Sequence, residues 1–573
     1  MSELKDTVSE YEKIHVDGEF SRNRTIEQAN KSDEELIGLL LSNERLKDHF
    51  FTEAGDNYVF DKEKFVEFVN NKQFLEDSYT QFKNKVGLKT GDEYYREKKD
   101  VELAWPYKDC VLQGGQTKED EDRKEKFWNT TLAPDQVDKL LDPKVLTNFK
   151  RYTEDGEKEV EEISEDDNLF IRGNNLLALH SLKKRYRDSI DMVYIDPPYN
   201  TDSDDFEYND SFNHSTWLTF MKNRLEITRE LMSNDAVIFV QIDDNELHYL
   251  NTLMDEVFGR ENHLITITVK RSSAAGHKTI NPTPVNVTDY ILMYAKDKEE
   301  FEYNTQYTEA EYDEMYNKIV VNKDQAEPQN WEVKDFDEYV AEQLGFSSAD
   351  EAREQMKGGF KEEMADYALE NANKVFQRTA INYDSVGKTT QEAYDRSKDE
   401  PDRIFEVERE GHENIYVKDK RKLTFYKNRV EKVEGQKTHA KVLTNFWDDI
   451  SWNGISSEGR VTLNKGKKPE RLLRRLIKMS TDKEDRVMDF FLGSGTTAAV
   501  AHKMGRKYIG VEQLEYGESD PVVRLNNVLD GESTGVSPVE NWNGGGDFVY
   551  AELMGLNSQF LEKIEDADSQ EEV

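Results

Sequence analysis

Apolar residues between positions 169 and 295 follow two alternating patterns. Short runs of strand length are separated by longer stretches in which apolar residues recur every three or four positions, the spacing of a helix with one buried face. The short runs predict strands at 169–172, 191–195, 236–242, 264–269 and 290–294. The stretches between them predict helices at 175–185, from Ser215 onward, and from Leu247 to Gly259. This alternation predicts a largely parallel sheet that helices cover on both faces.

The same alternation returns nearer the C-terminal end of the chain. It predicts a helix at 469–479, a strand at 486–490, a helix at 496–504 and a strand at 507–511. We expect this βαβ unit to join the sheet formed by the earlier strands. Between 301 and 445 the alternation is lost and the chain becomes polar and irregular.

These patterns predict an α/β protein with several domains, because 573 residues are too many for one core. A Rossmann-like domain is expected from two separate segments, 168–300 and 446–573. Residues 1–153 mix short helical patterns with polar loops and are predicted to form a mainly helical N-terminal region. Residues 301–445 are predicted to be an inserted domain.

The chain is strongly acidic, with a net charge of −41 and a pI near 4.7. Such a field repels nucleic acid phosphates, so two interpretations are open. In the first, the protein comes from a halophile, where concentrated KCl screens the repulsion to a range of about 3 Å. In the second, the acidic surface binds a partner other than nucleic acid. Runs such as 161–167 and 562–572 are typical of solvated surface, which favours the first interpretation.

The cysteine content and the apolar runs exclude several classes of protein. A single cysteine, Cys110, rules out a disulfide framework and a cysteine-based zinc site, and no metal site is predicted. We find no basic-then-apolar leader, and the longest apolar runs have only the length of a strand. We therefore expect a soluble, cytoplasmic protein with no membrane segment.

The segment Asp196-Pro197-Pro198-Tyr199 directly follows a predicted buried strand. The Asp196 carboxylate and the Pro197 carbonyl can accept both hydrogens of an exocyclic amine and draw its nitrogen toward sp³ geometry. The two prolines fix their own φ angles and stiffen the loop, so these acceptors are held in place. Tyr199 can stack on a base, which must leave the duplex for its amine to be reached. This segment therefore predicts methylation of an amino group on a flipped base.

A glycine-containing turn, Asp489 to Thr497, lies between a predicted strand and a predicted helix. Gly493 and Gly495 let the backbone approach a ligand, and the helix that begins at Thr496 offers free N–H groups. Asp489 can accept from a ligand ammonium, and Glu512 at the end of the next strand can bind ribose hydroxyls. No lysine follows Gly495 as a P-loop requires, and the turn is too short for the full dinucleotide motif. Together with the preceding loop, this turn predicts methyl transfer from S-adenosylmethionine to adenine N6.

A basic stretch near residue 420 stands out in this acidic chain. Cations crowd around Tyr416, Phe425 and Tyr426, which is typical of a surface that binds nucleic acid. The predicted DNA-binding residues are Lys418, Lys420, Arg421, Lys422, Lys427 and Arg429. A solvated amphipathic hairpin remains an alternative for the same residues.

With these motifs the chain resembles the β group of DNA amino-methyltransferases and, within it, the Mod subunits of type III restriction-modification systems. The order of motifs is that of the group, in which the catalytic motif precedes the cofactor motif and a target-recognition region lies between them. Phe491-Leu492-Gly493-Ser494-Gly495 resembles the group's FxGxG cofactor motif. Asn464 to Pro469 resembles a segment that encloses the methionine part of the cofactor, which assigns Lys468 and Pro469 to it. Gly173-Asn174-Asn175 resembles a segment that contacts the cofactor adenine, although Asn174 stands where an acid is frequent.

The resemblance also implies partners. It implies a homodimer that acts on double-stranded DNA and a helicase-nuclease subunit that performs restriction. Cytosine-N4 methylation remains an alternative, although enzymes with that activity more often carry Ser in place of Asp196. A second alternative is a recognition subunit that binds DNA for a nuclease and does not methylate; the intact motif residues speak against it.

Overall fold

The computed structural model describes most of the chain after residue 102 and shorter stretches before it. The residues described are 4, 7–8, 11–16, 19–31, 33–54, 57–70, 89–90, 93–94, 103–118, 126–160, 162–201, 208–272, 284–463 and 466–554. Two compact units result, one of residues 1–304 with 445–573 and the other of residues 305–444. Asn464 and Lys465 of the predicted cofactor segment lie outside the described residues.

The first unit is built on an eleven-stranded sheet. Its strands are β1 (Leu146–Thr153), β2 (Gly156–Glu159), β3 (Leu169–Arg172), β4 (Ile190–Ile195), β5 (Met232–Ile242), β6 (His263–Lys270), β7 (Thr288–Ala295), β8 (Phe446–Trp447), β9 (Arg486–Asp489), β10 (Lys507–Glu512) and β11 (Asp547–Leu553). Across the sheet they are ordered β2-β1-β11-β3-β10-β9-β4-β5-β7-β6-β8. The six strands from β11 to β5 in this order run parallel to one another. At the two borders of this core, β1 runs antiparallel to β11 and β7 runs antiparallel to β5. The predicted α/β class and the largely parallel sheet are confirmed.

Helices connect the parallel strands. They are α1 (Asn175–Tyr186), α2 (His214–Leu231), α3 (Leu247–Phe258), α4 (Glu470–Ser480), α5 (Thr496–Lys503) and α6 (Pro521–Leu529). The helix α1 begins after Asn174, whose side-chain oxygen accepts from the backbone N–H groups of Leu176 and Leu177. The helix α3 ends at Gly259, which has a φ of 92°, a conformation that residues with a side chain rarely adopt. A continuous core of buried Leu, Ile, Val and aromatic residues joins the sheet to α1, α2 and α3. Each such side chain contributes about 1.5–3 kcal/mol to folding.

The N-terminal residues form short helices and hairpins. The helices are Arg22–Asn30, Glu34–Ser42, Glu44–Phe50, Lys62–Asn70 and Pro134–Leu141. The strands are His15–Val16, Glu19–Phe20, Phe51–Ala54, Asn57–Phe60, Lys89–Thr90, Glu93–Tyr94, Cys110–Gln113 and Lys126–Asn129, and they pair as two-stranded hairpins. Residues 4–69 contribute a small core of their own around Phe50 and Phe65.

The unit of residues 305–444 consists largely of regular strands and helices, whereas an irregular structure was expected there. It contains an antiparallel sheet ordered Val333–Asp335, Lys318–Val320, Val375–Ala380, Arg421–Phe425, His412–Lys418 and Phe405–Arg409. A three-stranded sheet consists of Tyr307–Glu309, Gln436–Val442 and Val430–Val433. Its helices are Phe336–Gln343, Ala349–Met356, Gly359–Glu370 and Lys388–Asp399. The expectation was wrong because short, half-exposed strands and helices carry too few apolar residues to show a clear period.

Most elements predicted in the first unit lie within a few residues of their observed bounds. Five of the labelled elements went unassigned, namely α6 and the strands β1, β2, β8 and β11, and β11 belongs to the parallel core of the sheet. The helix for which Ser215 was the expected N-cap begins at His214, with Asn213 as its N-cap two residues earlier. No helix in the described part of the chain combines the length and the apolar character needed to cross a bilayer.

Candidate active site

The two predicted motifs meet at one edge of the sheet. Strands β4, β9 and β10 are parallel neighbours, so their C-terminal ends lie side by side and deliver Asp196, Asp489 and Glu512 to the same place. A cavity of about 410 Å³ opens there. Its walls include Tyr194, Asp196, Pro198, Tyr208, Lys467, Lys468, Asp489, Phe491, Leu492, Gly493, Ser494, Thr496, Thr497, Glu512, Leu514 and Tyr516. A cavity of this size is within the range that binds a cofactor.

Asp196 forms an ion pair with Lys468 inside this cavity. The Lys468 ammonium donates to Oδ2 of Asp196 and, at 3.2 Å, to the carbonyl of Gly466. Both side chains are largely buried. The second carboxylate oxygen, Oδ1, is buried and finds no hydrogen-bond partner among the described residues. A buried acceptor without a partner is costly, so this atom is suited to a ligand donor.

The loop after β4 is held from below by the helix α2 and by a polar network. The indole of Trp217, which is fully buried, donates to the Pro198 carbonyl at 2.8 Å. Asn200 has a φ of 60° and donates to Glu246 at 2.6 Å, while its own oxygen accepts from the backbone N–H of Phe212. Among the described residues none donates to the carbonyl of Pro197. The loop is therefore rigid and leaves that carbonyl free to accept.

Tyr199 lies beside the ion pair. The centroid of its ring is 5.3 Å from the Lys468 ammonium, and its hydroxyl is buried with no hydrogen-bond partner in the described part of the chain. Burial, helped by the charge of Asp196, raises the pKa of the Tyr199 phenol well above its usual value. The Tyr199 side chain is therefore neutral at working pH. It combines an apolar ring with a single polar atom, the hydroxyl oxygen.

The glycine turn is organised by Asp489. Its Oδ1 accepts from the backbone N–H of Phe491 at 2.9 Å, and its Oδ2 accepts from the Thr497 hydroxyl at 2.6 Å. Gly495, at a φ of 82°, ends the turn and precedes α5. Burial raises the pKa of Asp489 to about 7. A carboxyl group with such a raised pKa ionises readily when a cationic ligand binds beside it.

Glu512 fixes the same turn from the neighbouring strand. Its Oε2 accepts from the backbone N–H of Gly493 at 2.7 Å, and its Oε1 accepts from that of Leu514 at 2.9 Å. Burial raises the pKa of Glu512 to about 7. Gly493 has a φ of 55°, and the space where a Cβ would stand is open. A ligand can therefore approach the backbone at Gly493 closely.

The structure brings most of the predicted site residues to the cavity wall. Asp196, Pro198, Lys468, Asp489, Phe491, Gly493, Thr496 and Glu512 line it. Pro197, Tyr199, Pro469 and Gly495 do not line the cavity but each follows or precedes a residue that does. Asn174 also lies outside the wall, and its oxygen caps α1, while its amide nitrogen is 3.4 Å from the Gln513 side chain. Its contact with the cofactor stays a prediction.

The predicted DNA-binding residues lie in the other unit, around a hairpin whose turn is formed by Asp419 and Lys420, both at positive φ. The neighbouring aromatics are core residues, since Phe425 and Tyr426 are almost fully buried. Lys427 and Arg429 are engaged in ion pairs with Glu413 and Asp313. The other four predicted residues, Lys418, Lys420, Arg421 and Lys422, form no ion pair with a described residue.

Sequence reasoning missed a group of buried charges below the glycine turn. Glu470, Lys503, Arg524 and Glu532 all have fully buried side chains and pair with one another. It also missed Lys467, whose ammonium donates to the carbonyls of Glu458 and Val461 at 2.6 and 2.7 Å. Charged residues are usually solvent-exposed, so no local signal separates these from surface residues.

Comparison with known proteins agrees with this site. The model of a family described as DNA methylases matches residues 190–357 and 346–518. These matches span more than half of the chain, so the protein belongs to the DNA methylase family, which uses S-adenosylmethionine. A second model, for the methylation subunit of type III restriction/modification enzymes, matches residues 33–88.

The relatives identify the subgroup. A probable type III restriction-modification enzyme HindVI Mod subunit from Haemophilus influenzae is 35% identical over 99% of this chain and 87% of the relative. The EcoPI Mod subunit of Escherichia phage P1 is 29% identical over 63% of this chain and 59% of its own length. The EcoP15I Mod subunit of Escherichia coli is 26% identical over 61% of this chain and 58% of its own length. The protein is thus a homologue of type III modification subunits, as the motifs predicted.

Proposed function

We propose that this protein transfers a methyl group from S-adenosylmethionine to the N6 amine of an adenine flipped out of double-stranded DNA, as the modification subunit of a type III restriction-modification system. The observation that carries the proposal is the position of Asp196. Its carboxylate shares one cavity with the glycine turn, and its Oδ1 is buried without a partner among the described residues.

The residues of the cavity suit this cofactor. When bound, S-adenosylmethionine supplies an electrophilic methyl group on a positively charged sulfur. Asp489 and Glu512 offer two buried carboxylates to its cationic and hydroxyl groups, and Gly493 leaves room at the backbone. Phe491 and Thr496 complete this wall. Gly495, Asn174 and Pro469 are assigned to the cofactor by the resemblance of their segments alone.

The catalytic loop acts on the adenine amine. Oδ1 of Asp196 and the carbonyl of Pro197 accept its two hydrogens, which frees the nitrogen lone pair from the ring for attack. Lys468 holds Oδ2 of Asp196 and so orients the carboxylate. Pro198 anchors the loop to Trp217, and Tyr199 stacks on the base. The proton that the nitrogen releases leaves along its hydrogen bond to Asp196.

DNA binding is assigned to the cations Lys418, Lys420, Arg421 and Lys422, with Lys427 and Arg429 contributing less because acidic neighbours already engage them. The charge of −41 fits a halophile, where salt screens the acidic surface. We further propose a homodimer, a helicase-nuclease partner subunit and, because the substrate is DNA, a cytoplasmic location.

The proposal is tested by incubating the protein with methyl-labelled S-adenosylmethionine and unmethylated DNA, at low and at high KCl. Mass spectrometry of the digested nucleosides is expected to show N6-methyladenine. N4-methylcytosine would establish the alternative base, and absence of label at every salt concentration would end the proposal. A pull-down that recovers a nuclease with an unlabelled genome would instead support a recognition subunit without activity.

Asp196→Ala is the matching variant. It removes the acceptor of the amine, so we expect transfer to fall by at least about 10³-fold while cofactor binding is kept. The control is Asp235→Ala. Asp235 is an exposed carboxylate near the N-terminal end of β5, at the opposite edge of the sheet from Asp196, and it accepts a hydrogen bond from the Ser233 hydroxyl. An Asp196→Ala protein that keeps the wild-type rate would show that the mechanism is wrong.

A further inference from the structure

Arg524, on α6, contacts the glycine turn from beneath. One amino group, NH1, donates to the hydroxyl of Thr496 at 2.7 Å and lies 3.4 Å from that of Ser494. Both hydroxyl residues line the cofactor cavity, whereas Arg524 does not. The guanidinium is fully buried. It therefore acts on the cavity through the residues that it holds.

The other amino group of Arg524 contacts Glu470, which follows the segment from Gly466 to Pro469, here called the lysine segment. NH2 donates to Oε1 of Glu470 at 2.7 Å. Glu470 is the first residue of α4 and directly follows Lys468 and Pro469. Lys468 lines the cavity and holds Asp196. The guanidinium thus joins the glycine turn to the lysine segment.

Glu470 is itself fixed in place. Its Oε2 accepts from the Lys503 ammonium at 2.8 Å and from the backbone N–H of Val536 at 3.0 Å. Burial acts to raise the pKa of Glu470, but the charges of Arg524 and Lys503 outweigh it and hold the pKa below its usual value. Lys503 also pairs with Glu532, so two cations balance two carboxylates. All four side chains are fully buried, so removing one charge would leave its partners uncompensated, which is strongly destabilising.

The surrounding backbone leaves this group no room to shift. Gly459 has a φ of 65°, and a Cβ there would lie 2.6 Å from Nε of Arg524. Gly535 has a φ of 56°, and a Cβ there would overlap the carboxylate of Glu470. Two glycines thus let the backbone close over the pair from two sides.

We propose that Arg524 and Glu470 are positioning residues that set the separation between the glycine turn and the lysine segment, and so determine the affinity for the methyl donor. The inference rests on the proposed function, since it takes the cavity as the cofactor site. An arginine is required because its planar fork reaches the glycine turn and Glu470 at fixed angles, whereas a lysine ammonium is a single point.

The test measures S-adenosylmethionine affinity of the full-length protein by calorimetry without DNA, followed by steady-state kinetics. Arg524→Lys keeps the charge balance but can contact only one of the two partners, Thr496 or Glu470. We therefore expect the affinity for S-adenosylmethionine to fall at least about tenfold. The KM for S-adenosylmethionine is expected to rise by the same factor. The kcat at saturating cofactor is expected to fall by a smaller factor, because Lys468, which holds Asp196, lies on the segment that Arg524 positions, and the KM for DNA is expected to stay unchanged.

The matched control is Arg474→Lys. Arg474 lies on the same helix α4 and pairs with Glu540 at 2.5 Å, but it does not line the cavity. We expect this variant to bind the cofactor as the wild type does. Equal affinities for Arg524→Lys and the wild type would overturn the proposal, as would a fall in kcat with an unchanged KM.

A second variant keeps the test decisive if Arg524→Lys does not fold. Thr496→Val removes the hydroxyl that accepts from Arg524 and leaves the pair with Glu470 intact. We expect Thr496→Val alone to lower the affinity for S-adenosylmethionine, and where Arg524→Lys also folds, the two losses will not add in the double variant. Additive losses, or full affinity in Thr496→Val, would contradict the proposal. A wild-type protein that binds no S-adenosylmethionine would remove the proposed function itself.

Discussion

The Lys468 ammonium binds Oδ2 of Asp196 and leaves Oδ1 of the same carboxylate buried and without a partner among the described residues. One residue comes from the segment before α4 and the other from the end of β4. The ion pair thus presents a single, oriented acceptor to the substrate amine. Lys468 therefore serves the proposed base site as well as the cofactor wall.

Lys468→Met should lower kcat more than it lowers cofactor affinity. Without the ammonium the Asp196 carboxylate is free to rotate and has to carry an unpaired charge in a largely buried place, which costs several kcal/mol. We expect kcat to fall at least about tenfold, with partial recovery in Lys468→Arg. Single-turnover rates at saturating cofactor measure this. A variant that loses only cofactor affinity would confine Lys468 to the cofactor wall.

Tyr199→Phe and Tyr199→Ala should separate stacking from hydrogen bonding. The Tyr199 hydroxyl has no partner in the described part of the chain, so its removal should change kcat by less than about tenfold. Loss of the ring removes base stacking, which contributes about 1–3 kcal/mol. Fluorescence of 2-aminopurine at the target position reports the flipped base directly. Equal effects of both variants would assign the role to the hydroxyl.

Cofactor affinity should rise with pH. Burial raises the pKa of Asp489 and of Glu512 to about 7 in the free protein, from usual values near 4. A cationic ligand favours the ionised acids, so binding releases protons, and affinity should rise about tenfold per group between pH 6 and 8. Calorimetry in buffers of different ionisation enthalpy measures the protons released.

Asp489→Asn should remove part of this pH dependence, and Glu484→Gln should not, because Glu484 is 76% exposed. The same pKa shifts have an opposite effect on the free protein. Its folded state binds more protons than the unfolded chain between about pH 4 and 7, so stability falls as pH rises through that range. Affinity that is flat from pH 6 to 8 would contradict the assignment of both acids.

The hairpin cations should set the salt dependence of DNA binding. Lys418, Arg421 and Lys422 have no ion pair with a described residue, and replacing all three by Gln should lower the slope of log K against log salt by about 3. Lys427→Gln should change it less, since Glu413 lies 2.5 Å from the Lys427 ammonium. Fluorescence anisotropy across a KCl series provides the slopes. An unchanged slope in the triple variant would leave the solvated hairpin as the explanation.

The parallel core was readable from the sequence because its strands are buried on both faces. The runs behind β3 and β4 are mostly apolar, β9 places Val487 and Met488 between two charged residues, and polar residues mark where each strand ends. The position of Asp196 and Asp489 at strand ends followed from the same pattern, and strand adjacency then brought them together.

Other features depend on contacts that no local pattern records. Glu470 and Arg524 are far apart in the chain, and each has the character of an ordinary helix-surface residue until the fold buries it. Asn174 was expected at the cofactor from its motif, yet its oxygen is used to cap α1. Capping and ligand binding favour the same short polar side chain, so residue type alone does not separate them.

The strand order has a consequence for biosynthesis. On one side β4 pairs with β5, which follows soon after it, but on the other it pairs with β9, and β3 pairs only with β10 and β11. A nascent chain that ends before residue 486 therefore exposes open strand edges rich in apolar side chains. Closure has to wait until β9, β10 and β11 are translated, so stalled or truncated products are expected to aggregate and to require chaperone protection.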